Sequence, residues 1–487
     1  MLKKTFTPML IISMIFFFCS DIYAQTKYDE INILINSGEY SKAAKKIDYL
    51  VTTAGLSGEE IYSLQFQKDK MERIKKDFRL TEEYIIKAIS KYYPSLSKEE
   101  LKQWEEDGSL EMKIIDGEKK YFNNAAPNLF RVNKEAKQRK IEVDGSAEDK
   151  LKTFLADHIP QSVELSLKSG SNLSNPKRIK INYTLSVDSG VVPKGEIIRV
   201  WLPYPRNEYE RQSDIKLLNV NCENYLISPD AYFHKSLYVE KPAEGDKPTE
   251  FEFSLEYTCS SQWFNLNENK VRPYDETSKL YKEFTSERAP HIVFSEKIKK
   301  LSEEILGGET NPYNKVKKIA IWINDNIPWA SAREYSTLEN ISDYCVSNMH
   351  GDCGIKSLLF ITLARCSGVP AKWQSGWMMH PPVINLHDWA EVYFEGYGWV
   401  PVDADFGIQN SEDEKVKYFY TNGIDSYRLI VNDDISRDFY PAKIYPRSET
   451  VDFQRGEVEW KGGNVYYDKW NYKLKILAHK TITSIPS

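Results

Sequence analysis

The 487 residues are 41% hydrophobic and 28% charged, with 23 Gly and 22 Pro, a composition that excludes a disordered, collagenous or multispanning chain and leaves room for about three folding units. Formal charge is −6, and residues 1–24 contribute +1 through Lys3, Lys4 and Asp21, so the remainder carries −7; this argues against nucleic acid or an anionic membrane surface as main partner. Aromatic residues reach 13%, with 31 Tyr and 11 Trp, a load that suits β-rich domains and aromatic-lined clefts equally.

At the N-terminus, Lys3-Lys4, an apolar run from Met9 to Phe18 and Ile22-Tyr23-Ala24 before Gln25 read as a secretory signal over 1–24. No other stretch approaches the roughly 18 apolar residues of a span. The expectation is therefore an exported, periplasmic or extracellular protein with no integral membrane segment after signal removal. A lipid anchor through Cys19 is the rival reading, disfavoured because Phe16-Phe17-Phe18 lacks the small residues that precede a lipidated cysteine. Beyond the signal five cysteines remain, Cys222, Cys259, Cys345, Cys353 and Cys366. Their odd number leaves at least one thiol unpaired within the chain, a candidate nucleophile in an oxidising compartment. The plain alternative is five reduced cysteines acting as small buried hydrophobes.

Residues 25–165 read as mainly helical. Ile31, Leu34 and Ile35, then the Asn36-Ser37-Gly38 break and Tyr40, Ala43, Ala44, Ile47 and Leu50, are spaced as two short amphipathic helices. They resemble one tetratricopeptide-type hairpin, yet no second copy follows at a fixed period, so a solenoid is not supported. A helical stretch over Leu80–Trp104 contains Ser97-x-x-Glu100, a capping-box pattern. Met112–Ile115 and Lys119–Phe122 should pair as a type I′ hairpin across Asp116-Gly117.

From 166 to 275 the period becomes two: Ile179, Ile181, Tyr183 and Leu185 alternate with polar residues, as do Phe251, Phe253, Leu255 and Tyr257. An antiparallel sheet or small sandwich is expected, with Lys241–Glu250 as a charged loop. Cys222 and Cys259 both fall here, and their pairing stays open, as does that of Cys345 with Cys366. Helical spacing returns over Phe294–Ile305 and Asn314–Ile327. Residues 411–487 revert to strands, including a hairpin of Glu457–Trp460 and Asn464–Tyr467 meeting at Gly462-Gly463, and should pack on the preceding domain.

The chemistry concentrates between these. Gly351-Asp352-Cys353-Gly354 precedes Leu358, Leu359, Phe360, Ile361, Leu363 and Ala364, then Gly368 and Pro370, the pattern of a buried helix starting at Cys353 and stopped by Gly368. A thiol there meets the positive end of the helix dipole, which favours thiolate; Cys366 sits at the disfavouring end, and Cys345 in the approach. His387-Asp388-Trp389-Ala390-Glu391-Val392-Tyr393-Phe394 alternates as a strand, with His387, Trp389, Glu391 and Tyr393 on one face and Ala390, Val392 and Phe394 on the buried one. A turn at Glu395–Gly398 then returns the chain through Trp399-Val400-Pro401-Val402-Asp403, bringing His387 and Asp403 to nearly opposite positions on neighbouring strands.

Taken together, Gly351-Asp352-Cys353, Arg365-Cys366-Ser367-Gly368-Val369-Pro370-Ala371, His387-Asp388-Trp389-Ala390-Glu391-Val392 and Gly398-Trp399-Val400-Pro401-Val402-Asp403 resemble, in order and spacing, the transglutaminase-like superfamily of papain-like cysteine enzymes, over about residues 290–408. The resemblance implies an α+β fold: a transglutaminase-like core over 276–410, beside the β-sandwich-like domain (166–275), the helical region (25–165) and a β-rich extension (411–487). It further implies a Cys353–His387–Asp403 triad, thiolate attack on an amide, an acyl-enzyme and release to water or an amine, with Trp329 as oxyanion candidate. The preferred activity is hydrolysis of peptide or isopeptide bonds in a peptide, protein or cell-wall peptide. Gln–Lys crosslinking is the alternative, glycoprotein deglycosylation a weaker one, and a catalytically silent scaffold the reading from another class. His350 and His380 are competing bases. Trp377, His380 and Trp399 are candidates for the cleft rim. No cofactor is implied, and no metal, because neither His-Glu-x-x-His nor Cys-x-x-Cys occurs.

Overall fold

The computed structural model describes residues 28–482; the signal and Cys19 readings lie outside them. The chain forms two compact units that divide between Val143 and Asp144. In the first, side-chain caps set the helix starts. Ser57 and Glu60 close a capping box on Gly58–Asp77, and Ser97 and Glu100 close another on Lys98–Glu106. The helical pattern over 80–104 is two helices, Glu82–Ile89 and Lys98–Glu106, separated at Pro94, whose ring is incompatible with a helix interior. Met112–Ile115 pairs with Glu118–Phe122 across Asp116 and Gly117, both at positive φ (50° and 85°), as a type I′ turn requires. A third short strand, Phe78–Leu80, joins them.

The second unit begins with Lys150–Ser169, N-capped by Asp149 and stopped by Gly170 at φ +69°. Its Ser162 Oγ lies 3.1 Å from Ser261 Oγ and its Ser162 carbonyl accepts from Ser174 Oγ at 2.9 Å. This docking on the following sheet makes the compact division fall at 143/144 instead of 165. Two five-stranded antiparallel sheets follow. One is built on Leu173–Val187 and Thr249–Trp263, the other on Ile197–Pro203 and Ser236–Pro242. Their alternating residues Ile179, Ile181, Tyr183, Leu185, Phe251, Phe253, Leu255 and Tyr257 are all fully buried, in keeping with a sandwich whose inner faces share one core.

A third sheet orders Gly398–Val402, Val383–Phe394, Ala371–His380 and Arg428–Asn432. On one face, Trp373, Ala390 and Val392 pack against Leu358, Leu359 and Ile361 of the Cys353–Cys366 helix. Farther along the same face, Trp377, Met379 and Leu429 join the sandwich core, while on the opposite face Trp389 packs with Ile424 and Ile430, and His387 with Phe406. The sheet is thus covered on both sides, and this is why His387, Trp389 and Glu391, read as the opposite face from a buried one, are themselves buried.

Residues beyond 411 form no separate layer. Trp470–Thr481 pairs with Leu173–Val187, Glu457–Trp460 with Ile197–Pro203, and Arg428–Asn432 with Ala371–His380. The C-terminal hairpin turns at Trp460↔Gly463.

All five described cysteines are free thiols, which removes the two disulfides left open. Cys259 registers with Lys177 and Gln212, whereas Cys222 lies past Val220, opposite Phe253; six strand residues separate the two levels, about 20 Å. Cys345 lies beside the start of the Cys353–Cys366 helix, within the influence of Asp352 and Lys356, and Cys366 is at its other end, about 15–20 Å away at 1.5 Å per residue.

Candidate active site

Asp352 begins the site. Its Oδ1 accepts the Ile355 amide at 3.1 Å, capping the helix, and the Tyr335 hydroxyl at 2.8 Å. Cys353 is therefore the first helical residue. Gly354 has no room for a side chain: a Cβ there would stand 2.1 Å from Tyr335 Oη and 2.8 Å from Asp388 Oδ2. This packing brings the thiol against residue 388, and Cys353 Sγ donates to Asp388 Oδ2 at 3.3 Å. The expected lowering of the thiol pKa is reversed. Desolvation, then the charges of Asp388, Asp352 and Asp405, hold it well above the usual thiol value, because neighbouring carboxylates outweigh a half-charge from the dipole.

His387 stands on the adjacent strand. Its Nε2 lies 2.8 Å from Asp403 Oδ2. The hairpin register pairs Ala390 with Val402 and Phe394 with Gly398, so His387 and Asp403 are diagonal rather than directly opposite, still within side-chain reach. Asp403 Oδ1 accepts the amides of Asp405 and Phe406, and Oδ2 also accepts Arg428 Nη2 at 3.0 Å. Burial works against the Asp403 carboxylate, but His387 and Arg428 outweigh it and hold its pKa below the ordinary range. An ionised Asp403 accepts only, so His387 Nε2 carries the proton and Nδ1 is left as acceptor.

The thiol and this imidazole line one cavity of about 490 Å³, together with Trp329, Tyr335, Asp405, Gln454 and Arg455 among others. No hydrogen bond joins Sγ to the His387 ring; the thiol's partner is Asp388. Trp329 is 41% exposed and bridges to Gly351. Three rim candidates lie elsewhere. Trp377 is fully buried, donating Nε1 to Gln454 O at 3.0 Å and stacking on Tyr183. His380 ends its strand in the interior, 3.1 Å from Asp425 Oδ1. Trp399 packs edge-on against Phe284. Trp377 faces the layer between the sheets and His380 the opposite side, and alternation along one strand does not reveal that both sides are covered. His350, the other competing base, is buried edge-on to Tyr344.

Residues 299–404 match the family model of the transglutaminase-like superfamily. They are a transglutaminase-like core. The chain is 27% identical over 248 residues to an uncharacterized protein of Haemophilus influenzae, covering 44% of this chain and 66% of that one. It is 24% identical over 133 residues to the uncharacterized protein YebA of Bacillus subtilis, covering 24% of this chain and 18% of YebA. Less than two thirds of either relative's length is thus spanned. Among solved structures, a proposed cysteine protease from Cytophaga hutchinsonii aligns over 65% of this chain and 94% of its own at 16% identity, TM-score 0.43. The periplasmic domain of TgpA from Pseudomonas aeruginosa, bound to ethylmercury, aligns over 49% and 93% at 11% identity, TM-score 0.24. Among the described residues no helix is long and apolar enough to cross a membrane.

The cavity of this transglutaminase-like core is acidic, a feature not read from the sequence because its residues come from distant segments. Glu334, Asp352, Asp388, Asp405, Glu449 and Asp452 all line it. Burial, followed by repulsion among them, raises Asp352 to about 6 and Asp452 to about 7. For a carboxyl raised from about 3.9 when unfolded, the native state binds the extra proton between pH 4 and 7, so stability falls as pH rises through that window. Asp452→Asn is therefore expected to gain stability over wild type across it, on the order of 4 kcal/mol by pH 8, as read by urea unfolding at a series of pH values. A constant difference between the two proteins would show that Asp452 does not titrate there.

Proposed function

We propose that the protein is a cysteine-dependent amide acyl-transfer enzyme that hydrolyses peptide or isopeptide bonds, with Cys353 as nucleophile, His387 as base and Asp403 as its orienting group. One observation carries this reading: a thiol at a helix N-terminus and an imidazole fixed through Nε2 by an ionised aspartate open into the same cavity. When Sγ turns from Asp388, His387 Nδ1 accepts its proton and the thiolate attacks the amide carbonyl. The oxyanion of the tetrahedral intermediate faces the backbone N–H of Cys353, with Trp329 at the cavity edge as a further donor. Collapse expels the amine, which takes the proton from His387, and leaves a thioester. Water, deprotonated by the same imidazole, then attacks the thioester and restores the thiol.

Water is favoured as the acceptor because Cys353 and Asp352 are only partly buried, whereas transfer to an amine needs water excluded. Incubation of a peptide and cell-wall-fragment mixture in oxygen-18 water with a labelled primary amine, read by mass spectrometry, should give carboxyl products carrying oxygen-18 in excess of amine adducts at millimolar amine. Faster amine incorporation would replace hydrolysis with crosslinking.

A further inference from the structure

The proposed mechanism uses none of the cavity's carboxylates, and their counter-charges do not balance. Asp405 is paired with Lys356 at 2.9 Å. Glu334 takes Arg455 through both guanidinium nitrogens, and the same Arg455 stands 3.6 Å from Glu449. Asp352 is spent on the helix cap and Tyr335. Two remain. Asp388 holds only the thiol and Gln454 Nε2, the latter at 2.7 Å, and has no cation within ion-pair distance. Asp452, on the cavity wall at 6% exposure, has no hydrogen bond and no ion pair on its carboxylate, and the nearby Arg455 and Arg447 charges offset its burial only in part. A nine-tenths buried, unpartnered carboxylate facing a cavity is costly unless something pairs with it.

We propose that Asp388 and Asp452, flanked by Glu449, form a subsite for an ammonium group of the substrate, directly beside the Cys353 sulfur. The proposal rests on Cys353 being the nucleophile and adds the substrate class: amides carrying a protonated primary amine close to the scissile bond. That amine belongs either to the acyl part, as an N-terminal α-ammonium, or to the leaving part, as a lysine-type side chain. An ammonium supplies the positive charge that the pair otherwise takes up as protons, and by competing for Asp388 it frees the thiol for His387.

Charge-selective alkylation tests the subsite without needing turnover. At pH 8, the rate of Cys353 modification by cationic 2-bromoethylammonium is divided by that for neutral iodoacetamide, using peptide mass spectrometry. We expect this ratio to exceed that of glutathione by about tenfold or more, the scale of focusing in a charged cleft, and to fall back toward it in Asp452→Asn. A ratio equal to that of glutathione, or unchanged by Asp452→Asn, overturns the subsite. The nucleophile reading is judged separately, failing if Cys353→Ala keeps turnover on the amide that the oxygen-18 experiment yields. Peptide pairs differing only by acetylation, one at the N-terminal amine and one at a lysine just past the scissile bond, then assign the side: kcat/KM should favour the free amine in one pair, in wild type but not in Asp452→Asn. No preference in either pair also overturns the proposal.

Discussion

Cys353→Ala should lower kcat by about 10⁴-fold or more on any amide that the oxygen-18 experiment yields, while Cys345→Ala and Cys366→Ala stay within about tenfold of wild type. Among the described cysteines Cys353 is the one that lines the cavity with the His387 imidazole. Cys345 is sealed in the core, its thiol pushed up to about 12 by burial, and Cys366 lies at the helix end, where the dipole opposes thiolate. Because a nucleophile and its base act as one unit, Cys353→Ala combined with His387→Ala should be barely worse than either alone. Comparable losses in all three cysteine variants, with circular dichroism unchanged, would remove Cys353 from the chemistry.

A second large effect is expected on stability. Arg428 is fully buried, donates to Asp403 at 3.0 Å, stands 3.6 Å from Asp425 and lies 3.9 Å over the Phe406 ring. Removing it as Arg428→Met strands two carboxylates in the interior, a loss of about 3–5 kcal/mol when one partner of a buried charged group is deleted. Arg428→Met with Asp425→Asn should recover part of it, since one stranded charge is gone, although Asp425 also pairs with His380. Denaturant unfolding measures both. A loss below about 1 kcal/mol for Arg428→Met would mean that water reaches this cluster and screens it. The pKa of Asp403 is held down partly by Arg428, so the surviving Arg428→Met protein should also lose activity toward low pH earlier than wild type.

Local physics made much of this chain legible. The Asp116-Gly117 turn, the capping box at Ser97 and Glu100, the period of two in the sandwich strands and the buried helix from Cys353 each depend on residues within a few positions of one another. The His387–Asp403 contact was within reach because one hairpin spans it, although the register is offset by two residues. Asp388 was not read, although parity along its strand places it with Ala390 and Val392, on the side where the Cys353 helix packs.

What neither period nor motif contains is the covering of that sheet and the charge around the thiol. Trp377 is interior because a sandwich core closes over its face of the strand, and His380, on the other face, because Phe406, Tyr427 and Asp425 cover it. Arg428, Glu449, Asp452 and Gln454 reach the cavity or the aspartate behind its histidine from 25 or more residues past Asp403, through a chain segment that passes among three sheets. Helix position alone favours a thiolate at Cys353. Only the tertiary structure decides otherwise, because electrostatic energy depends on distance in space and on desolvation, and the folded chain gathers carboxylates around the sulfur that are scattered along the sequence.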